Sequence, residues 1–291
     1  MREFAVVGSP IEHSLSPLLH TTAYREFGIT DARYGRFEVH EGDLAAFLEG
    51  GPGRALDGLS VTMPGKPEAA AIASECDETT ARLGVANTLL RLPDGSWRAE
   101  NHDVYGIRAA LAAALAAQGS GRDSVSGPTT GHRGGILGSG ATAACAVLAL
   151  ADLGVTELLL SARTPAKLAA VQKLAADLGM SSTVVDFPQS HEVLDADLVV
   201  SALAIAGAQA VAEAWQQRES IPVPGTLLDV LYQPWPAPIA GLVQSRGGVV
   251  VSGLEMLLHQ AEKQLEAMVG RRPAPLDAMR EAALQELARR P

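Results

Sequence analysis

One segment constrains the fold of this chain more than any other, because it joins a strand to a helix through a glycine-rich turn. Residues 137–143 read LGSGATA, and they follow a short apolar run and precede an alanine-rich helical pattern. Gly138 permits a tight turn, Gly140 lets the backbone approach a ligand without a Cβ in the way, and Ala143 allows the helix to pack closely on the strand. The segment therefore predicts a strand–turn–helix unit of a parallel sheet.

Short apolar runs alternate with helical patterns along most of the chain. FAVVG at residues 4–8 predicts a buried strand, and VYGIRAALAAALAAQ at residues 104–118 predicts a helix. Two runs that flank the turn at residues 93–95 predict a hairpin. Because strands that alternate with helices form mainly parallel sheets, we predict an α/β fold. The chain from residue 253 to the end is predicted to be helical.

Composition and charge exclude several classes of protein. The 291 residues include 23 Lys plus Arg and 33 Asp plus Glu, a formal net charge of −10, whereas nucleic-acid-binding proteins usually have a basic surplus. Hydrophobic residues make up 47%, too many for a disordered chain. Cys76 and Cys145 form no CxxC motif, so no disulfide framework is expected. Because the sequence has neither a signal-peptide pattern nor a membrane-spanning run, we expect a cytoplasmic protein of one large or two ordinary domains.

The glycine-rich turn also predicts a dinucleotide site. Gly138, Ser139, Gly140 and Ala141 lead into a helix whose first N–H groups and positive dipole end would face a diphosphate. The alternative is a glycine-rich turn in an ordinary α/β unit. The strand before the turn and the helix after it favour cofactor binding.

The end of the next predicted strand indicates which dinucleotide would bind. NAD-specific sites usually carry Asp or Glu there, to accept a hydrogen bond from the ribose 2′-OH. This chain instead carries Arg163, Thr164 and Lys167, and Arg and Lys suit a 2′-phosphate. We therefore predict NADP rather than NAD. The alternative, solvated basic residues at a helix start, is less favourable because cations oppose the helix dipole unless an anion binds there.

Polar side chains in the first hundred residues lie where the fold does not require them. Ser14 and Ser16 follow the first strand and could donate to a carboxylate, although Ser16 before Pro17 also fits a helix N-cap. Lys66 follows another strand, where a lone lysine is most often a solvated charge. The residues alone leave these alternatives open.

Two further polar residues lie beside predicted strands. Asn87 precedes an apolar run, and Asp103 lies at the junction of a strand with the alanine-rich helix. A carboxylate at such a junction could bind a ligand or simply cap the helix. Both alternatives stay open for Asp103 at this point.

Seven segments together carry a resemblance to a known family. They are GSPIEHSLSP, LSVTMPGK, GVANTL, NHDVYG, LGSGATA, ART and GLEMLLHQA. In this order and at this spacing they resemble the shikimate dehydrogenase family, from residue 8 to about residue 270. Each segment alone is only modestly specific, but the combination is highly specific.

The resemblance implies an oxidoreductase that reversibly reduces 3-dehydroshikimate to shikimate with NADPH, in the biosynthesis of chorismate and the aromatic amino acids. Hydride transfer to the ketone places negative charge on its oxygen, and an ammonium beside it stabilises that charge and supplies a proton. The cofactor carries the hydride, so no metal is expected. The implied residues are Ser14 and Ser16 for the substrate carboxylate, Thr62, Asn87, Asp103 and Gln260 for the ring hydroxyls, and Lys66 with Asp103 as the catalytic pair.

The same resemblance implies two domains. Residues 1–103 and 239–291 would form a shikimate-binding catalytic domain with a mainly parallel sheet, and residues 104–238 a Rossmann-type domain that binds NADP. The C-terminal helices would return to the first domain and carry Gln260. The expected partner is the small-molecule substrate, with no nucleic acid and no membrane. The oligomeric state is left open, with a homodimer as one alternative.

Several positions depart from the family pattern. His102 stands where the family has a small polar residue, Ala162 and Gln233 each stand where it has Asn, and residues 201–207 lack the usual Pro. These departures leave two other functions open. One is a quinate/shikimate dehydrogenase that uses NAD, and the other is a catalytically weak relative that senses nucleotides.

Overall fold

The computed structural model describes residues 1–119 and 132–290. Strands and helices alternate along these residues, which confirms the predicted α/β class. The strands are β1 (Arg2–Gly8), β2 (Ala32–Glu38), β3 (Gly58–Val61), β4 (Glu75–Cys76), β5 (Thr88–Arg91), β6 (Trp97–Glu100), β7 (His132–Leu137), β8 (Val155–Ser161), β9 (Ser181–Val184), β10 (Leu198–Ser201), β11 (Thr226–Asp229) and β12 (Val250–Ser252).

The helices fall where the sequence has apolar residues at helical spacing. None of them, within residues 1–119 and 132–290, has both the length and the apolar character that crossing a bilayer requires. They are α1 (Ser16–Glu26), α2 (Leu44–Glu49), α3 (Lys66–Ile72), α4 (Glu78–Leu83), α5 (Asp103–Gly119), α6 (Ala141–Asp152), α7 (Leu168–Asp177), α8 (Ile205–Gln216), α9 (Pro238–Ser245), α10 (Gly253–Val269) and α11 (Leu276–Arg289).

The chain divides into two compact units. One comprises Met1–Asp103 with Leu258–Pro291, and the other comprises Val104–Leu257. The second division therefore falls inside α10. From the sequence, the chain is expected to leave the second unit at residue 239. The difference arises because β12 pairs with β11 and so belongs to the second sheet.

The first unit is built on a six-stranded sheet in the order β2-β1-β3-β5-β6-β4. β1 is parallel to both of its neighbours, and β4 is parallel to β6. β5 is antiparallel to β3 and to β6, and its pairing with β6 is the predicted hairpin. The core of this unit includes Ala5, Val7, Leu59 and Leu89, all of them fully buried or nearly so. Burial of β1 explains its uninterrupted apolar run.

The second unit contains a six-stranded, wholly parallel sheet in the order β12-β11-β10-β7-β8-β9. The chain starts at the centre with β7, builds outward to β9, and then returns to build β10 to β12 on the other side. This is the strand order of a Rossmann fold, in which ligands bind at the carboxyl ends of the strands where the order reverses. The turn after β7 lies at that reversal point.

Candidate active site

The first unit contains a buried ion pair between two predicted site residues. Lys66 is the first residue of α3, and Asp103 is the first residue of α5. Nζ of Lys66 lies 2.5 Å from Oδ2 of Asp103, with side-chain exposures of 13% and 6%. Lys66 is therefore not the solvated charge that a lone lysine usually is. Two buried charges are tolerated only when hydrogen bonds support them, so the surroundings of the pair are informative.

The carboxylate of Asp103 is turned toward other side chains and does not cap its own helix. The N–H of Asp103 donates to Oδ1 of Asn101 (3.0 Å), and Nδ2 of Asn101 donates to the carbonyl of Val85 (2.9 Å). Asn101 thus provides the local turn that a capping Asp would otherwise provide. This role of Asn101 is not among the sequence predictions, although an Asn two residues before a polar helix start is a usual signal for such a turn.

Asn87 connects the ion pair to the C-terminal helix. Its Nδ2 donates to Oδ1 of Asp103 (2.9 Å) and to Oε1 of Gln260 on α10 (3.0 Å). Its Oδ1 accepts from the hydroxyl of Thr88 (2.9 Å) and from the N–H of His102 (3.0 Å). The structure therefore brings together four of the predicted residues: Lys66, Asn87, Asp103 and Gln260.

Ser14 and Ser16 lie at the start of α1. Ser16 is the first residue of that helix, and the cap position is occupied by Leu15, whose apolar side chain makes no capping hydrogen bond. The N-cap interpretation of Ser16 is therefore wrong. The hydroxyl of Ser14 accepts a hydrogen bond from the N–H of Ser16 (3.3 Å).

Thr62 follows β3 directly, four positions before Lys66. Its N–H donates to the carbonyl of Val7 (2.9 Å), at the end of the neighbouring β1. The start of α1, the end of β1 and the loop that leads to Lys66 therefore belong to one end of the sheet. Polar residues at the carboxyl ends of parallel strands are typical of ligand sites in open α/β sheets.

His102 is the departure from the family pattern that lies nearest to the ion pair. Its Nε2 is 3.2 Å from Oε2 of Glu100. The hydrogen bond with His102 lowers the pKa of the Glu100 carboxyl below its usual value. The backbone N–H of His102 still donates to Oδ1 of Asn87, a contact that any residue except proline can make at this position.

The second unit contains the predicted glycine-rich turn. Gly138 has φ +120°, and a Cβ there would lie 2.9 Å from the carbonyl oxygen of Ala202. Gly140 differs, because within residues 1–119 and 132–290 a Cβ there would meet nothing within 4 Å. It occupies the cap position of α6, which begins at Ala141 and has no side-chain cap. Packing therefore explains the glycine at position 138. At position 140 the missing side chain instead leaves open space next to Ser139, and this space lies beside the uncapped N–H groups at the start of α6.

Arg163, Thr164 and Lys167 follow β8 and are all exposed. Thr164 precedes a short 3₁₀ turn, and Lys167 occupies the cap position of α7. In the part of the chain that the structure describes, neither Arg163 nor Lys167 forms an ion pair with a carboxylate. Two unpaired cations before a helix N-terminus oppose its dipole, an arrangement that an anionic ligand would relieve.

Asp229 is a buried acid at the end of β11 that the sequence analysis did not single out. It pairs in register with Ser201 of β10, and its Oδ1 accepts from the N–H of Leu231 (3.1 Å). Burial raises the pKa of the Asp229 carboxyl to about 6. Ser201 also begins the segment without the usual Pro, in which Ala204 occupies the cap position of α8.

Two family models match parts of this chain. A family model described as the shikimate dehydrogenase substrate binding domain matches residues 6–89, and one described as the shikimate 5'-dehydrogenase C-terminal domain matches residues 253–284. The shikimate dehydrogenase (NADP(+)) of Roseobacter denitrificans is 32% identical over 280 residues, which cover 96% of this chain and 96% of the relative.

Solved structures give the same result. The shikimate dehydrogenase of Mycobacterium tuberculosis is 37% identical with a TM-score of 0.81, over 98% of this chain and 100% of that chain. The shikimate 5-dehydrogenase of Thermus thermophilus, solved in complex with NADP(H) and shikimate, is 25% identical with a TM-score of 0.78, over 99% and 100% of the chains. Fold and comparisons define an oxidoreductase with a Rossmann-like sheet. The chain belongs to the shikimate dehydrogenase family, which confirms the resemblance found in the sequence.

Proposed function

We propose that this chain catalyses the reversible, NADPH-dependent reduction of 3-dehydroshikimate to shikimate. The observation that carries the proposal is the buried pair of Lys66 and Asp103, with 2.5 Å between Nζ and Oδ2, in a chain of this family. Its curated relatives are named shikimate dehydrogenase (NADP(+)). A paired ammonium and carboxylate suit a reaction that needs both charge stabilisation and proton transfer.

Lys66 has the central chemical role in this proposal. NADPH, when bound, would supply hydride to the carbonyl carbon, and negative charge would develop on the carbonyl oxygen. The ammonium of Lys66 stabilises that charge and donates a proton to the oxygen; in the reverse direction the amine accepts the proton. Asp103, held by Asn87, keeps the Lys66 side chain in place.

The other polar residues of the first unit suit a small anionic ring with several hydroxyls. The hydroxyls of Ser14 and Ser16, at the N-terminus of α1, would hold the substrate carboxylate, where the helix dipole favours an anion. Thr62, Asn87 and Gln260 would bind ring hydroxyls as donors or acceptors.

The turn of the second unit fits the pyrophosphate of NADP. The open space at Gly140 and the uncapped start of α6 suit an anion that approaches the backbone closely. Ser139 and Ala141 flank that space. Arg163 would bind the 2′-phosphate, which Arg can hold with two hydrogen bonds, and Lys167 and Thr164 would assist it.

We further propose that the enzyme is cytoplasmic. Cys76 and Cys145 are not joined by a disulfide, and Cys76 is exposed, so a reducing compartment would keep it reduced. The oligomeric state is a separate question, and light scattering on the purified protein distinguishes a monomer from a homodimer.

One assay tests the proposed function. Purified protein is given shikimate or quinate, each with NADP or NAD, and reduced nicotinamide is followed by absorbance. We expect the highest kcat/KM with shikimate and NADP. Absence of turnover with that pair, while a relative of known activity works in the same buffer, contradicts the proposal.

The same assay decides between the alternatives. Faster turnover of quinate with NAD would identify a quinate/shikimate dehydrogenase. Binding of NADP without turnover of any substrate would identify a nucleotide-sensing relative. The unpaired Arg163 and Lys167 argue against the first, and the intact pair of Lys66 and Asp103 argues against the second.

A further inference from the structure

A cluster of buried polar side chains lies behind Asn87, and none of its members is a predicted site residue. At its centre is Gln264 of α10, one helical turn after Gln260 and 1% exposed. A buried polar side chain costs stability unless its hydrogen bonds are made, so its partners show what holds it. They are Thr88, Ser60 and His20, with Tyr34 beyond Ser60, and all of them are buried.

The amide of Gln264 can adopt only one orientation. Its Nε2 lies 3.1 Å from the carbonyl oxygen of Asn87, which can only accept a hydrogen bond. The NH₂ group must therefore face Asn87, and it also donates to Oγ1 of Thr88 (3.0 Å). Oε1 consequently faces the other way and accepts from the hydroxyl of Ser60 (2.8 Å).

Two aromatic residues fix the far end of the cluster. The hydroxyl of Tyr34 donates to Oγ of Ser60 (2.5 Å), which leaves the Ser60 proton for Gln264. His20 stacks on Tyr34 with 4.0 Å between ring centroids, and its Nε2 lies 3.4 Å from Oε1 of Gln264. Burial lowers the pKa of His20 to about 3. At neutral pH the ring is therefore uncharged, and Nε2 carries the proton that faces Oε1.

The orientation of Gln264 determines the orientation of Thr88. Because Oγ1 of Thr88 accepts from Gln264, its own proton points to Oδ1 of Asn87 (2.9 Å). Oδ1 also accepts from the N–H of His102, so the NH₂ group of Asn87 must face Asp103. Tyr34 donates to Ser60, Ser60 to Gln264, Gln264 to Thr88, Thr88 to Asn87, and Asn87 to the carboxylate that pairs with Lys66.

We propose that Gln264 is a positioning residue, which acts through Thr88 to keep the NH₂ group of Asn87 directed at Asp103. The inference rests on the proposed function, because it concerns the catalytic pair of that reaction. Without the Nε2 donor, the Thr88 hydroxyl is free to rotate and the Asn87 amide loses one of the contacts that define its direction. An Asn87 turned the other way would place Oδ1 against the carboxylate of Asp103, an unfavourable contact.

The test is a Gln264→Met variant, which keeps the length of the side chain and removes its hydrogen bonds. We expect kcat with shikimate to fall about tenfold, the effect of one lost hydrogen bond, while KM for NADP stays unchanged. Gln285→Met, the same replacement at an exposed position, is the chemical control and should behave as wild type. Leu265→Ala opens a cavity beside a fully buried residue of the same helix and removes none of the cluster's hydrogen bonds, so it should lower the melting temperature without the loss of kcat.

A double-mutant cycle separates positioning from a merely structural role. If Gln264 acts through Thr88, then Thr88→Val should lower kcat by a similar factor, and the double variant should lose little more than either single variant. Losses that multiply in the double variant would overturn the proposal. So would a Gln264→Met variant with wild-type kcat. Thr88→Val also serves if Gln264→Met does not fold.

A second readout does not depend on the reaction. The side-chain NH₂ signal of Asn87 in a ¹⁵N–¹H NMR spectrum should exchange slowly with solvent in wild type and quickly in Gln264→Met or Thr88→Val. Unchanged exchange would overturn the proposal even in an active enzyme. If the wild-type protein fails to turn over shikimate, the proposed function fails, and the NMR experiment still decides the role of Gln264.

Discussion

Nζ of Lys66 lies 2.5 Å from Oδ2 of Asp103, and both side chains are largely shielded from water. Residues far apart in the sequence supply the pair, each from the first position of a helix. Because the backbone at the start of a helix is well ordered, the fold fixes where the side chains of Lys66 and Asp103 begin. The loop around Asn87 is also hydrogen-bonded to the start of α3, because the N–H of Ala86 donates to the carbonyl of Lys66 (2.9 Å).

Replacement of the lysine tests its chemical role. We expect Lys66→Ala to lower kcat with shikimate by about 10²-fold or more, since it removes the group that stabilises charge and transfers the proton. Binding of NADP, measured by fluorescence titration, should stay within about twofold of wild type. Lys173→Ala, which removes an exposed lysine paired with Asp177, is the control. Near-normal turnover by Lys66→Ala would contradict the assigned role.

Asn101 is expected to support both stability and catalysis. Its Oδ1 accepts from the N–H of Asp103, two residues on, and Asn101→Ala should lower the free energy of unfolding by about 1–2 kcal/mol. It should also lower kcat, because the first residue of α5 carries the catalytic carboxylate. Asp94→Ala is a matched control, since Oδ1 of Asp94 accepts from the N–H of Ser96 in an exposed turn with the same spacing. Equal kcat values for the two variants would contradict this view of Asn101.

Asp103 and Ser16 show where sequence reasoning reached its limit. Both precede or begin helices, and a pattern of residues cannot tell a capping side chain from one that binds elsewhere. For Asp103 the outcome depends on Lys66 and Asn87, which are distant in sequence and donate to its carboxylate. The nearby Asn101 accepts the hydrogen bond from the N–H of Asp103. The alternation of strands and helices was predictable because apolar spacing records local structure. The residue at which the chain leaves the second unit was not predictable, because it depends on β12 pairing with β11, and sequence pattern does not show which sheet a short strand joins.

Gln264 was hidden for a related reason. It lies four residues after Gln260, so helical spacing alone places both on one face of α10. A glutamine in a helix is usually solvated, however, and only the buried partners Ser60 and Thr88 reveal its role.

The preference for NADP should depend on Arg163. We expect Arg163→Ala to weaken NADP binding at least tenfold and NAD binding less than twofold, because only NADP carries the 2′-phosphate that the guanidinium would bind. Lys167→Ala should have the same selectivity with a smaller effect. Titration of each variant with both dinucleotides measures this, with the exposed Arg33→Ala as control. Equal losses for NADP and NAD would contradict the 2′-phosphate role.

Asp229 should make stability depend on pH. Its pKa is raised to about 6 in the folded protein from an ordinary value of 3.8, so the folded chain holds a proton that the unfolded chain has lost between these values. The free energy of unfolding therefore falls as pH rises from about 4 to 6, by roughly 3 kcal/mol from this group. Asp229→Asn keeps the oxygen that accepts from Leu231 and removes the titration.

Urea unfolding at two pH values measures this effect. We expect Asp229→Asn to be more stable than wild type at pH 8 and to lose that advantage at pH 4. In both proteins, burial of His20 gives the free energy of unfolding the opposite pH dependence. Its pKa is lowered from 6.5 to about 3, so the free energy of unfolding decreases as pH falls below 6.5. The difference between variant and wild type cancels the His20 contribution. A difference that is the same at both pH values would contradict the assignment to Asp229.

Substitution by alanine should have different effects at the two glycines of the turn after β7: it should lower stability at Gly138 and weaken NADP binding at Gly140. Gly138→Ala forces a side chain into φ +120° and places its Cβ 2.9 Å from the carbonyl oxygen of Ala202, so we expect a loss of about 1–3 kcal/mol in unfolding free energy. Gly140→Ala has φ −89° and open space, so it should unfold as wild type does. Its new Cβ would enter the space proposed for the pyrophosphate and should weaken NADP binding at least tenfold. Each variant is the control for the other in calorimetry and cofactor titration. If Gly140→Ala bound NADP as tightly as wild type, the open space beside α6 would not be the pyrophosphate site.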